Sequence, residues 1–270
     1  MMRDLIIGAC TGYNYDQVKV WINSINRSGF KGDKTLMIFD GTQELMNKVI
    51  DQGFIVINVP LDPSQSIYTQ RFIAIYDYIY CNPARYVITT DVRDVVFQHD
   101  PSVWLEKNLN NKHLIFGSEC IAYEDEPWGT ENLYHTFGPF IHSRFKKNTV
   151  YNVGVLAGEG EYMRDLCLNI AINSFNRPIK ICEQAVFNFM IHNKLYEDQT
   201  YFAKLKDKWV AHLATLATVD RMDFFGPLLT EPNTVNFDGR YITVDNEPVC
   251  IAHMYNRTIW NNEIEKIYGD

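Results

Sequence analysis

The sequence has little that is typical of secreted or membrane-bound proteins. Its six cysteines are scattered along the chain without a close pair, which excludes a dense disulfide framework and the spacing of a zinc site. They are typical of buried thiols in a reducing compartment. No apolar run approaches the length of a membrane span, and the run that begins at Leu5 is too short for a signal peptide. We therefore expect a soluble, cytoplasmic protein.

Several common nucleotide- and nucleic-acid-binding patterns are also missing. The chain has 25 basic and 33 acidic residues and a formal net charge of −8. Proteins that bind nucleic acid through its phosphates carry an excess of Lys and Arg, so this class is disfavoured. Gly8 and Gly12 do not form Gly-x-Gly-x-x-Gly, and no Walker A lysine is present. A dinucleotide-binding dehydrogenase and a P-loop NTPase are disfavoured as well.

The sequence does contain alternating strand and helix patterns. Apolar runs predict strands at 5–10, 35–39 and 55–59, and the segments between them have helical spacing. This β-α-β-α-β order predicts an α/β fold with a parallel sheet and right-handed crossovers. At 270 residues the chain is long enough to bury a sizeable core, and we predict a single domain over 1–270.

The most informative segment follows a fourth predicted strand near Tyr86. Asp91 and Asp94 come where this strand should end. Ligands of open α/β sheets bind just beyond the carboxyl ends of strands, and Mg²⁺ or Mn²⁺ takes carboxylates together with substrate phosphates. The segment thus indicates a metal that carries a diphosphate. The alternative is structural, because Asp is common at strand ends and helix N-caps. We assign Asp100, which precedes Pro101, to helix capping.

The run from Thr90 to Pro101 resembles the metal-binding segment of GT-A-fold nucleotide-sugar glycosyltransferases, with the usual Asp-x-Asp written as Asp-Val-Arg-Asp. The resemblance implies a GT-A fold, a Rossmann-like and mostly parallel central sheet flanked by helices. It implies a nucleotide-binding half at 1–105 and a sugar and acceptor half at 106–270. It also implies that Asp94 binds Mn²⁺ or Mg²⁺ and that Asp91 approaches the sugar, its nucleotide or the metal.

The same resemblance implies contacts with a nucleotide-sugar donor, for which a UDP-sugar is favoured. Ala9 lies near the end of the first predicted strand, Thr11 in the turn after it, and Asp40 directly after the second. All three are candidate nucleotide contacts, although turn chemistry alone could explain each of them. Arg71 belongs to a predicted helix before the metal segment. Its forked guanidinium suits a diphosphate, and an exposed helix residue is the alternative.

Further candidates come later in the chain. Asn152 and Gly154 form an Asn-x-Gly that the resembled enzymes have beside the donor sugar, and a glycine there lets a ligand approach the backbone. His253 ends an apolar strand, where a lone His is more often structural. A late His is a metal ligand in related transferases, so the resemblance favours metal binding. Arg257 is a candidate for the diphosphate.

Three carboxylates are candidates for a catalytic base. Glu119 ends a predicted strand, Asp125 lies in an acidic segment at 123–129 that we predict to be a loop on the acceptor side, and Glu183 opens a Glu-Gln pair known from the resembled family. An inverting transferase needs a base to take the proton of the acceptor hydroxyl, whereas a retaining one does not require it. The structural alternatives are a solvated acidic loop and a favourable helix dipole at Glu183.

These patterns together predict a metal-dependent glycosyltransferase that moves a sugar from a nucleoside-diphosphate sugar to a hydroxyl of a glycan or other acceptor. One alternative is a phosphatase or nucleotidyltransferase that uses Asp91 and Asp94. The haloacid-type phosphatases have a shorter Asp-x-Asp spacing, which counts against it. The other alternative is a non-catalytic module that binds a nucleotide-sugar.

Overall fold

The computed structural model describes residues 2–218 and 222–269. Its strands are β1 Leu5–Thr11, β2 Asp33–Phe39, β3 Ile55–Val59, β4 Tyr86–Thr90, β5 Val95–Phe97, β6 Leu114–Ala122, β7 Thr149–Glu159, β8 Thr200–Ala203, β9 Val210–His212, β10 Val235–Phe237, β11 Ile242–Val244, β12 Glu247–Pro248 and β13 Ile251–His253. Its helices are α1 Lys19–Arg27, α2 Gln43–Asp51, α3 Ile67–Cys81, α4 Pro101–Asn108, α5 Pro127–Phe145, α6 Gly160–Ser174, α7 Glu183–His192, α8 Leu213–Leu216, α9 Met222–Phe225 and α10 Asn261–Tyr268.

A seven-stranded sheet with the order β3-β2-β1-β4-β7-β6-β8 forms the centre of the fold. Only β7 runs antiparallel to its neighbours β4 and β6, and the other pairs are parallel. The predicted α/β architecture with a mostly parallel sheet is therefore confirmed. β1, β2 and β4 end at the same edge, since Gly8 of β1 pairs with Thr90 of β4.

Helices cover both faces of this sheet. Ile6 packs with Trp21 and Ile22 of α1 in one core cluster, whereas the next residue, Ile7, packs with residues of α3, α6 and α7 in another. Successive side chains of a strand point to opposite faces, so a strand covered by helices on both sides is apolar throughout. This explains why the first strand reads as a continuous apolar run.

The segment 123–129, which we predicted to be a loop, is largely helical. Tyr123–Asp125 forms a short 3₁₀ turn, and α5 begins at Pro127 with Glu126 as its N-cap. Proline in the first helical turn after an acidic cap is a helix-start signal, and it outweighs the turn propensity of Pro127 and Gly129. α5 is broken at Gly138, whose φ is 78°, immediately before Pro139.

A small second sheet brings the late part of the chain to the end of β4. Its order is β5-β13-β9, in which Val95 pairs with His253 across an antiparallel ladder and His212 pairs with His253 across a parallel one. The strands β10 and β11 form an antiparallel hairpin whose connection contains Gly239. Within 2–218 and 222–269, no helix combines the length and apolar character needed to cross a bilayer.

Candidate functional site

Asp91, Asp94 and His253 converge at the carboxyl end of β4. The Nε2 atom of His253 lies 3.6 Å from Oδ2 of Asp91 and 3.7 Å from Oδ1 of Asp94. One potential ligand atom from each residue lies within 4.8 Å of the other two. Two carboxylates and an imidazole are suitable ligands for a divalent cation such as Mn²⁺. These three residues are called the metal cluster below.

Backbone hydrogen bonds hold the metal cluster together. The N–H of Asp91 donates to the carbonyl of Gly154 at 2.8 Å, which ties the end of β4 to β7. The N–H of Met254 donates to the carbonyl of Asp94 at 2.7 Å, directly after β13 pairs with β5. The site is therefore built from three distant parts of the chain.

His253 is the residue that best fits a metal ligand. Its side chain is completely buried, and its Nε2 atom has no hydrogen-bond partner although it faces two carboxylates. A buried polar atom without a partner is costly and calls for an explanation such as a ligand or an ion. Burial lowers the pKa of His253, but Asp94 and Asp91 outweigh it and raise the pKa overall. The residues present therefore fit a divalent cation.

Arg71 lies beneath the metal cluster rather than on the surface. Arg71 is a buried residue of α3, and its guanidinium forms an ion pair with Asp91. Burial would raise the pKa of Asp91, but Arg71 and His253 outweigh it and hold the pKa well below its usual range. Burial raises the pKa of Asp94. The alternative that Arg71 is an exposed helix residue is wrong. The charge that its guanidinium neutralises in this structure is that of Asp91.

Gly154 separates two groups of polar side chains. A Cβ atom at this position would lie 2.5 Å from Cε1 of His253, 2.7 Å from Oδ2 of Asp91 and 2.8 Å from Oδ1 of Asn152. Such distances are sterically impossible without rearrangement. A glycine is thus required for the metal cluster to lie as close to β7 as it does.

Glu119, Asn152 and Gln184 form the second group, called the amide–carboxyl cluster below. Oε1 of Glu119 accepts hydrogen bonds from Nδ2 of Asn152 at 2.8 Å and from Nε2 of Gln184 at 3.1 Å. The side-chain oxygens of the two amides accept hydrogen bonds from backbone N–H groups of β7. Oδ1 of Asn152 accepts from Gly154 at 2.6 Å, and Oε1 of Gln184 accepts from Val153 at 3.3 Å. Both amide orientations are therefore fixed by β7.

The carboxyl of Glu119 has an unusual proton affinity. It is buried, and burial together with the charge of Glu126 raises its pKa to about 7, against the stabilising hydrogen bonds from Asn152 and Gln184. A carboxyl that titrates near neutral pH can both hold and release a proton under physiological conditions. This property suits an acid or a base.

The other two candidate bases are placed differently. Glu183 is buried at the start of α7, and its Oε2 has no hydrogen-bond partner; burial raises its pKa although Arg71 opposes this. Asp125 is half-buried in the turn before α5, and the described residues show no contact between it and either cluster. Its neighbour Glu126 is buried and caps α5 by accepting from the N–H groups of Trp128 and Gly129.

The candidate nucleotide contacts lie along the edge where β1 and β2 end. Ala9 and Thr11 are half-buried in β1. Asp40 follows β2 with a φ of 50°, and its Oδ1 accepts from the N–H of Leu61 at 3.2 Å, so it also closes a turn. Arg257 follows β13 and lies near enough to oppose the rise in the pKa of Asp94.

A surface cleft of about 760 Å³ lies beside the metal cluster. Arg93 and Asn256 line it where it approaches the metal segment, and Asp16, Lys19 and Glu265 line it farther away. None of the three metal-cluster residues lines this cleft. It flanks the site and does not contain it.

Sequence reasoning missed His212, which lies beside His253. Both histidines are completely buried, and their Nδ1 atoms are 2.9 Å apart. The sequence carried a signal for this pair: 210–212 reads Val-Ala-His and 251–253 reads Ile-Ala-His, two short β-type segments that end in histidine. These two segments are the parallel neighbours β9 and β13.

No protein-family model matches the chain, and no curated protein sequence matches it. Solved glycosyltransferase structures do share its fold. Galactosyltransferase LgtC, solved in complex with donor and acceptor sugar analogs, has a TM-score of 0.60 and 12% identity over 98% of this chain and 95% of its own. The glycosyltransferase GlyE of Streptococcus pneumoniae TIGR4 has a TM-score of 0.51 and 16% identity, and the alignment covers 94% of this chain but 55% of GlyE.

The chain therefore spans about half the length of GlyE and nearly all of LgtC. At identities this low, the likeness shows the fold alone. That fold is the α/β arrangement of the GT-A glycosyltransferases, with a mostly parallel central sheet flanked by helices.

Proposed function

We propose that the protein is a metal-dependent glycosyltransferase. It transfers a sugar from a nucleoside-diphosphate sugar, with a UDP-sugar favoured, to a hydroxyl of a glycan or other acceptor. Residues 1–105 hold the nucleotide, and residues 106–270 hold the sugar and the acceptor. The GT-A fold and the site at the carboxyl end of its central strands support this assignment.

The observation that carries the proposal is the buried, unpartnered Nε2 of His253, which faces Asp91 and Asp94. A histidine kept only for packing would place this nitrogen on a hydrogen-bond partner or in solvent. Here it points at two carboxylates that themselves lie where a diphosphate would arrive. A hard divalent cation satisfies all three groups at once.

Residues at and around the metal cluster would bind the cation and balance the charge of the diphosphate. Asp94, His253 and Asp91 hold Mn²⁺ or Mg²⁺, which when bound neutralises the charge that develops on the leaving nucleoside diphosphate. Arg71 offsets the charge of Asp91 from below. Arg257, near Asp94, adds positive charge on the side open to the diphosphate.

Ala9, Thr11 and Asp40 contact the nucleotide at the ends of β1 and β2. The amide–carboxyl cluster orients the donor sugar and acceptor on the other side of Gly154. Asn152 and Gln184 keep Glu119 in place, and Glu119 can accept the proton of an acceptor hydroxyl once it is ionised.

Glu183, which is buried with a free carboxylate oxygen, is a second candidate base. Asp125 is a third candidate base, and it would need the acceptor to reach the turn before α5.

The first test is calorimetric titration of UDP and GDP into the protein with and without Mn²⁺. We expect one nucleotide to bind only in the presence of Mn²⁺, and we expect this binding to be lost in Asp94→Ala. Burial raises the pKa of Asp94, so removal of its charge should leave the fold intact, which circular dichroism checks.

Asp77→Ala is the matched control, because Asp77 is an exposed aspartate on α3 away from the metal cluster. Equal nucleotide binding by Asp94→Ala and Asp77→Ala would contradict the metal assignment, as would the absence of any nucleotide binding. Donor hydrolysis or transfer then separates an enzyme from a binding module. UDP binding without either reaction, over a broad acceptor panel, would favour the module.

A further inference from the structure

The two buried histidines of the small sheet are joined ring to ring. His212 ends β9, His253 ends β13, and the two residues pair directly in the parallel register. Their ring centroids are 5.2 Å apart at an interplanar angle of 79°, so the rings meet at an edge rather than stack. The Nδ1 atoms lie 2.9 Å apart, which is hydrogen-bond distance. One Nδ1 must therefore carry the proton and the other must accept it.

The position of His253 decides the direction of this hydrogen bond. Its Nε2 faces Asp91 and Asp94, and that nitrogen can bind a cation only through its lone pair. The proton of a neutral His253 must then sit on Nδ1, where it is donated to His212. Nδ1 of His212 accepts, so the proton of a neutral His212 lies on Nε2, a buried atom beside Gly117 that has no hydrogen-bond partner among the described residues.

We infer that His212 is a positioning residue for the metal cluster: it accepts the Nδ1 proton of His253 and thereby directs the lone pair of Nε2 of His253 toward the cation. This inference rests on the proposed metal-dependent function. Metal-binding histidines generally donate their second ring N–H to an oxygen acceptor, which fixes the tautomer and the ring orientation. Here the acceptor is a second imidazole, whose only role toward the cation is indirect.

The surrounding backbone is shaped for both rings. A Cβ on Gly117 would lie 2.2 Å from Cγ1 of Val210 and 2.8 Å from Nε2 of His212, and a Cβ on Gly154 would lie 2.5 Å from Cε1 of His253. Two glycines on adjacent strands, β6 and β7, thus leave space for the two rings, and the space at Gly117 is shared with Val210. A larger residue at either position would displace one of the paired histidines.

Manganese affinity is the direct test, measured by calorimetry or by the EPR signal of free Mn²⁺ without any substrate. His212→Leu removes the acceptor and fills the position with an apolar side chain of moderate size. We expect it to weaken Mn²⁺ binding by about 10–100-fold. His212→Asn offers its amide oxygen near the position of Nδ1 and should recover most of the affinity. A merely structural role predicts no such difference between two variants of similar fold.

His192→Leu is the matched control. His192 is half-buried, whereas His212 is completely buried, but it too has one hydrogen bond, to the carbonyl of Thr149, and it is outside the metal cluster. This variant should bind Mn²⁺ like the wild type. The second readout is the ¹⁵N spectrum of histidine-labelled wild-type protein saturated with diamagnetic Mg²⁺, in which Nδ1 of His253 should be protonated. His253→Asn assigns the signal, and this measurement needs no folded variant at position 212.

These measurements distinguish failure of the His212 inference from failure of the proposed function. If the wild type binds Mn²⁺ and a folded His212→Leu binds it equally well, the inference is overturned while the metal site stands. An unprotonated Nδ1 on His253 in the Mg²⁺-bound protein also overturns it. If the wild type binds no Mn²⁺ and Asp94→Ala changes nothing, the proposed function fails, and this inference fails with it.

Discussion

The metal cluster and the amide–carboxyl cluster both border Gly154 and differ in how far the protein itself satisfies their polar groups. In the amide–carboxyl cluster, Glu119 accepts from two amides, and both amides accept from the backbone of β7. In the metal cluster, Nε2 of His253 has no partner, and two carboxylates face it at more than 3.5 Å.

This difference separates two ways to prepare a site. The amide–carboxyl cluster is complete without a ligand, so folding alone fixes its geometry. The metal cluster retains a buried nitrogen without a hydrogen-bond partner, which costs about 1–3 kcal/mol, and the proposed cation would relieve that cost on binding. The side-chain hydrogen bonds of one cluster are therefore complete without a ligand, whereas the proposed cation would stabilise the other.

The largest expected effect is at the residue between the clusters. In Gly154→Ala, the added methyl group collides with His253, Asp91 and Asn152, so both clusters must shift. We expect Mn²⁺ affinity to fall by at least about 100-fold, and the free energy of unfolding to fall by about 1–3 kcal/mol. Gly226→Ala is the control, because a Cβ there meets no atom within 4 Å. Normal Mn²⁺ titrations for both variants would show that the close approach is not required.

Arg71→Met tests the electrostatic support of the metal cluster. Loss of one partner leaves the half-buried Asp91 near Asp94 without its counter-charge, which should reduce the free energy of unfolding by at most about 3–5 kcal/mol. A bound cation would replace part of that charge. Saturating Mn²⁺ should therefore reduce the difference in the free energy of unfolding between the variant and the wild type. Urea unfolding with and without Mn²⁺ measures both effects. Arg164→Met, which breaks a more exposed pair with Asp165, should cost no more than about 1 kcal/mol.

Glu119→Gln should change the pH dependence of stability. The pKa of about 7 in the folded protein exceeds the usual 4.5. The folded state therefore binds this proton more tightly than the unfolded state, and the resulting stabilisation is present below pH 4.5 and lost as the pH rises through 7. As the pH rises from 4.5 to 7, we expect the free energy of unfolding of the variant to increase by about 3 kcal/mol relative to that of the wild type. Glu161→Gln, at an exposed residue of α6, should follow the wild type at each pH of the unfolding series.

The smallest expected effect concerns the turn before α5. Glu126 contributes to the raised pKa of Glu119, so Glu126→Gln should lower the midpoint of the Glu119 titration by less than about one pH unit. Asp125→Asn should leave that midpoint unchanged. Carboxyl ¹³C shifts of labelled protein report it directly. An equal displacement in both variants would mean that Asp125 also acts on the amide–carboxyl cluster.

Local patterns in the sequence were sufficient for the central sheet and for the strand-end position of Asp91 and Asp94. The N-cap role of Asp100 is confirmed by its hydrogen bond from the N–H of Ser102 at 2.9 Å. The partners of these residues could not be derived in the same way. Whether Arg71 points inward depends on how α3 crosses the sheet, and local periodicity does not determine that crossing.

The relation between His212 and His253 was hidden for a similar reason. Each histidine ends a three-residue strand, too short for a clear alternation pattern, and their pairing is set by tertiary packing. Gly154 was expected to let a ligand approach the backbone, and Gly117 was assigned no role. The contacts that require glycine at these two positions are visible only when the side chains opposite them are known.

The pairing of Val95 with His253 has a consequence for how the protein is assembled. More than half of the chain separates the two residues, and closing such a long loop is slow relative to local folding. The large sheet requires nothing beyond β8, whereas the metal cluster requires β13. During synthesis, the early strands can therefore pair before Asp91 and Asp94 meet His253, and the proposed cation site is complete only when the last strand has docked.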